Sequence, residues 1–368
     1  MNEPRTSRLG IRSRAEAFSK KFGLKMPVLE APMAGASPVE LAIAVANAGG
    51  MGAMGALMTQ PQGIREWAAE FRKKSTGSFQ LNVWIPDPVP QRDADAEARM
   101  REFLASWGEV VLPSAGDARP PDFANQCEAF LEIVPPVVSS IMGLYPREFV
   151  DECKRRNIAW FACVTTLSEA RQARDAGADA IVVQGIEAGG HRGSFDAAKA
   201  ERQCGTLFVL LPRIAEHISD VPLIATGGIG DARGIAAAFV LGASAVQIGT
   251  ALLRSPEAQT VQPWADALIE LEPEQTIATR AFTGRLGRAI ATNYALAMNA
   301  PDAPKPAPYP VQRGLTGNMR VAGQSTKDVH RMQAWAGQAA AFARAEPAGA
   351  LLQRLWLEAQ ALLPAEDR

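Results

Sequence analysis

Of 368 residues, only three are histidine, three are tyrosine and four are cysteine. The cysteines (Cys127, Cys153, Cys163, Cys204) are scattered and show no metal-ligand spacing. They indicate neither a disulfide framework nor a metal site, and read as reduced thiols of a cytoplasmic protein. No apolar run approaches the ~20 residues of a membrane span, so no membrane partner is expected. The formal charge is only −1, which leaves no electrostatic footprint for nucleic acid. The first residues, MNEPRTSRLGIRSRAEAFSKKFG, carry arginine and serine without the apolar centre of a secretory signal. They read as an amphipathic helix that runs into the first strand.

What is present is a large apolar share, 47% of the chain, in short runs separated by helical patterns. Eight runs read as strands: Pro27–Met33, Gly50–Leu57, Phe79–Ile85, Pro136–Met142, Ile158–Val164, Ala180–Gly185, Val221–Gly228 and Ser244–Leu252. Strands buried on both faces give nearly unbroken apolar runs, and these do. AGADAIVVQG at Ala176–Gly185 and LGASAVQIGT at Leu241–Thr250 form a weak internal repeat. Each has a glycine at a helix end and a short turn before a strand. Eight such units in series point to an α/β fold, a (β/α)8 TIM barrel, over an open doubly wound sheet.

The barrel is expected over residues 1–253, with an insertion at about 86–135 that carries two helices. Residues 254–310 read as a smaller, mainly helical segment covering the substrate at the C-terminal mouth, where barrel active sites lie. It ends in the stiff connector PDAPKPAPYP. Residues 311–368 read as a helical tail packed on the barrel.

The strand ends hold the candidate chemistry. The loops after the last two strands, TGGIGDARG and QIGTALL, suit a phosphate. Glycines let backbone N–H groups approach an anion, and a helix N-terminus favours its charge. The plain alternative is two tight turns. His191, in EAGGHRGSF after the sixth strand, would overhang a ligand whose phosphate is held there. A neutral imidazole can take a proton from a carbon acid; alternatively the ring only caps a backbone carbonyl. Asn82, Gln184 and Gln247 are amides at strand ends. They match the alternating donors and acceptors of a flavin pyrimidine, or satisfy backbone. Tyr309 either reaches the mouth or packs the connector.

PVLEAPMAGA, FQLNVWIPDP, VVQGIEAGGHRGSF, PLIATGGIGDARG and AVQIGTALL together resemble the nitronate monooxygenases, formerly 2-nitropropane dioxygenases. The likeness runs from about Gly23 to the tail. The insertion and the late PYP…LT…MR segment resemble class I members. The resemblance implies a barrel that binds FMN without a covalent link. Its contacts would fall on Pro32, Met33, Ala34, Asn82, Gln184, Gly189, Gly227, Gly228, Gln247, Ile248, Gly249 and Thr250. The catalytic histidine would be His191, and substrate would meet His191 and Tyr309. No metal is implied.

The implied reaction is oxidation of an alkyl nitronate such as propionate 3-nitronate, a metabolic poison, by molecular oxygen. It yields a carbonyl compound and nitrite. His191 would deprotonate a neutral nitroalkane, or only stabilise a preformed nitronate. The partners are these small molecules, with room for a homodimer. Two departures stand out: Glu30 replaces the usual glutamine before APM, and the fourth strand, Val138-Ser139-Ser140-Ile141-Met142-Gly143, lacks both usual aromatics. The rival readings are an NAD(P)H-dependent flavin reductase of the same fold (quinone or enoyl-ACP reductase), and a barrel that binds a phosphorylated ligand without catalysis.

Overall fold

The computed structural model describes residues 10–108 and 110–365; the first nine residues of the expected N-terminal helix and the last three of the tail lie outside them. Eight parallel strands close into a barrel. They are β1 (Val28–Glu30), β2 (Met51–Gly55), β3 (Ser78–Trp84), β4 (Val137–Ile141), β5 (Ala159–Val164), β6 (Ala180–Gln184), β8 (Leu223–Thr226) and β9 (Ala245–Ile248). The two-residue strand β7 (Gly190–His191) lies outside the barrel. All eight expected barrel strands are present, most of them shorter than their apolar runs. Ladder pairing stops where the chain turns, whereas apolar character continues into the loops.

Side chains alternate across each strand, and the sequence uses that alternation to build two layers. Val28, Leu81, Val138, Ile181 and Val246 point outward and pack under the helices. Leu29, Met51, Val137, Phe161, Val182 and Ile224 point inward and fill the lower bore. The helix Ile11–Phe22 closes that lower end. Its Phe18 and Phe22 lie 6.1 and 4.9 Å from the Phe161 ring. The tail helix Ala348–Leu362 packs against the helices Val39–Asn47 and Ala232–Val240, which flank the seam where β1 meets β9.

The mouth differs from the sequence expectation in one respect. Residues 254–300 are not mainly helical. They include β10 (Thr276–Thr279) and β11 (Gly287–Ile290), paired antiparallel, and β11 also pairs with β7 in the register Gly287↔His191. TIAT and GRAI are too short to declare a strand by themselves; docking on the loop after β6 supplies the partner that makes them one. The insertion carries the two expected helices, Ala94–Ala105 and Phe123–Ile133, each capped by an aspartate (Asp93, Asp122). Met100 and Leu104 of the first share a small core with Phe282, Tyr294, Val311 and Leu315. The insertion and the segment after β9 therefore form one cover over the mouth.

Candidate active site

Under that cover is a cavity of about 390 Å³ at the C-terminal ends of the strands, within the usual range for small-molecule sites, roughly 300–1,000 Å³. Its floor is built by alternation. On β3, Phe79, Leu81 and Val83 point outward, so Gln80, Asn82 and Trp84 share the inner face. Gln184, Thr226 and Gln247 occupy the last inward positions of β6, β8 and β9 and also line the cavity.

These polar side chains interlock. Gln80 Nε2 donates to Gln247 Oε1 at 3.1 Å and to the Glu30 carbonyl at 3.2 Å, and Gln80 Oε1 is buried without a partner. Asn82 Nδ2 donates to Ser139 Oγ at 3.0 Å. The Thr226 hydroxyl donates to the Gln247 carbonyl. Gln184 turns both ends of its amide to the loop that follows. Its Nε2 donates to the His191 carbonyl (3.0 Å), and its Oε1 accepts from Gly193 N–H (2.8 Å). Arg192, 4% exposed, braces the same loop by donating to the carbonyls of Gln184 and Gln203.

At the other wall, Gly227 and Gly228 adopt φ of 107° and 70°, a region that disfavours other residues. Among the described residues, no acceptor takes the N–H groups of Gly228, Ile229, Gly249 or Thr250. Gly189 approaches Gly337 so closely that a Cβ would sit 2.5 Å from its backbone nitrogen. The Gly337 N–H in turn donates to Thr250 Oγ1 at 3.0 Å. The result is a glycine cradle with several free backbone donors.

His191 stands over this floor. Its ring is enclosed edge-on by Trp84 (4.5 Å) and Trp335 (4.7 Å). Nε2 lies 2.8 Å from Thr283 Oγ1. Burial, with the charges of Arg285 and Arg313 added, pushes the imidazole down to about 3, so it is neutral at any physiological pH. The two arginines differ. Arg285 is 1% exposed and paired: its Nε donates to Asp87 Oδ2 at 2.8 Å and its Nη1 to the Ser194 carbonyl at 2.9 Å. Arg313 is half-buried, lines the cavity, and has no anionic partner among the described residues.

Of the residues expected from sequence, Pro32, Met33, Ala34, Asn82, Gln184, Gly189, His191, Gly227, Gly228, Gln247, Gly249 and Thr250 line this one cavity. Ile248 does not; it points outward into the helix layer. Tyr309 does not line it either. Its ring packs 5.1 Å from Trp84 and lines a neighbouring cavity instead. Gln80, Trp84, Thr283, Arg313 and Trp335 were missed. Gln80 was findable, since period two puts it on the same face as Asn82. Arg313 sits in the segment that carries Tyr309, but nothing in the sequence marks it as unpaired.

Comparison with known proteins bears on the fold and the family. The family model described as nitronate monooxygenase matches residues 15–358. A nitronate monooxygenase of Paraburkholderia phytofirmans is 37% identical over 340 residues, 91% of this chain and 92% of the relative. The crystal structure of nitroalkane oxidase from Streptomyces ansochromogenes superposes with a TM-score of 0.84 at 32% identity, covering 93% of this chain and 98% of that one. FabK from Thermotoga maritima superposes at 0.73 with 25% identity, covering 97% of each. No helix among the described residues is long and apolar enough to cross a membrane. The chain belongs to the nitronate monooxygenase family, flavin-dependent oxidoreductases on a TIM barrel.

Proposed function

We infer that the chain binds FMN and oxidises preformed alkyl nitronates, propionate 3-nitronate among them, with molecular oxygen to a carbonyl compound and nitrite. The residues present suit the cofactor. The cradle of Gly227, Gly228, Gly249 and Thr250 offers free N–H donors to a phosphate. The unpartnered Gln80 Oε1 is an acceptor for a ring N–H. Pro32, Met33 and Ala34 complete the wall beside Asn82 and Gln247. The chemistry FMN supplies there is transfer of electrons from substrate to oxygen.

The observation that carries the reading is the unpaired Arg313 beside a neutral His191. A half-buried cation without a counter-ion favours an anionic ligand, because the anion restores what burial removed. Nitronates are anions; their parent nitroalkanes are not. An imidazole that resists protonation down to about pH 3 is a weak acceptor for a carbon acid's proton. Its work is to orient: Thr283 holds Nε2, and the two tryptophans fix the ring plane. His191 therefore positions a substrate that arrives already deprotonated.

The test is oxygen consumption by FMN-loaded protein on adding propionate 3-nitronate. The expected result is rapid uptake with nitrite released, and no bleaching of the flavin by NADH or NADPH under anaerobic conditions. Rapid anaerobic bleaching by a nicotinamide, with no response to nitronate, would overturn the reading in favour of a reductase of the same fold.

A further inference from the structure

A second cavity, about 690 Å³, adjoins the first. Leu57 and Trp84 line both, so the two spaces share a wall. The second cavity is formed by the loop after β3, by residues 116–123 of the insertion, and by Tyr309–Val311. Its lining is unusual for space beside an active site. Pro86, Pro88, Pro90, Pro120, Pro121 and Pro310 contribute rigid apolar surface without backbone N–H donors.

The ionic groups that reach it are for the most part already committed. Asp87 is bound to Arg285, and Arg92 to Glu97 and Asp117. Gln126 donates to the carbonyls of Ala56 and Thr59. The Tyr309 hydroxyl, buried without a partner, and the exposed Arg119 are the polar exceptions in a lining otherwise dominated by proline carbon. The volume falls in the small-molecule range, and the walls are held by the core that the insertion shares with the segment after β9.

We propose that this cavity is a subsite for the apolar chain of the substrate. The class of ligand is a straight-chain alkyl nitronate whose anionic end lies by Arg313 and whose hydrocarbon end passes the Leu57–Trp84 wall. This rests on the nitronate reading for the identity of the head group, but the subsite itself does not. Trp84 and Leu57 form the wall common to the two spaces. The Trp84 indole touches the rings of His191 (4.5 Å), which lines the first cavity, and Tyr309 (5.1 Å), which lines the second. This wall thus sets where selectivity by length begins.

Carboxylates are unreactive, planar anions that imitate a nitronate head group, so chain length can be tested without turnover. Butanoate to decanoate are titrated calorimetrically into the FMN-loaded protein. The expected result is a ladder in which Kd tightens about fourfold for each methylene that enters the cavity. Pro88→Trp and Val89→Trp each add bulk to the lining at exposed positions. At least one should erase the ladder for the longer acids and leave butanoate unchanged, with an unaltered melting temperature.

A Kd that does not depend on chain length in the wild type, or a ladder that persists in both variants, would overturn the subsite. The head-group reading is scored separately by nitrite release from propionate 3-nitronate. An intact ladder without nitrite removes the nitronate reading and leaves the apolar subsite standing.

Discussion

The two ends of the barrel bore are built by the same strands and differ in almost every property. At the lower end, Leu29, Val137, Phe161, Val182 and Ile224 pack against Phe18 and Phe22, with Ser78 of β3 the polar exception on the inner face. Two to four residues further along the same inner faces stand Gln80, Ser139, Gln184, Thr226 and Gln247. The first set stabilises; the second leaves donors and acceptors facing a cavity. On β6, β8 and β9 the change comes at the last inward position, which is why a barrel can alter its chemistry without disturbing its core.

The largest expected effect breaks the lower end. Phe18→Ala should cost roughly 3–5 kcal/mol, the range for deleting a buried aromatic ring, read from urea unfolding. The folded fraction should still bind FMN with unchanged affinity, because Phe18 is at the opposite end of the bore. A parallel loss of FMN affinity in the folded protein would show that the two ends are coupled.

A smaller effect tests a third environment, behind the wall. Glu30 is fully buried on the outer face of β1, its Oε2 accepting from Ala53 N–H at 2.9 Å and its Oε1 without a partner. Burial pushes its carboxyl up to about 8. Below about pH 4.5 it is protonated both folded and unfolded, and carries no penalty. As pH rises from there to about 8, the unfolded chain releases the proton while the folded chain keeps it, so stability falls; above about 8 the loss levels off. Glu30→Gln removes that dependence. It should stabilise the protein by about 3 kcal/mol at pH 7 and leave it unchanged at pH 4. Equal melting temperatures for wild type and variant at both pH values would show that Glu30 is ionised without cost.

Much of this was legible in the sequence. The eight apolar runs located every barrel strand, and reading their C-terminal ends found twelve of the residues that line the cavity. Ile248 was misplaced because a motif was read as a block; alternation assigns it outward between Gln247 and Gly249. The mouth sheet was not legible, because β10 and β11 are each four residues long and depend on a partner nearly a hundred residues earlier in the chain. The role of Arg313 was hidden for a related reason. A charged residue is identified as unpaired only by everything that surrounds it, and Arg285, also in the cover, is paired with Asp87 198 positions away.

The central claim is that this site receives an anion and does not generate one. The most direct measurement is steady-state kinetics with propionate 3-nitronate for the wild type, Arg313→Met and Arg313→Lys, at two salt concentrations. The account predicts a loss in kcat/KM of roughly 10²-fold for the methionine variant, carried mainly by KM. The lysine variant should recover part of it, and the wild-type KM should rise with salt. An unchanged KM in Arg313→Met, with salt-independent kinetics, would contradict it.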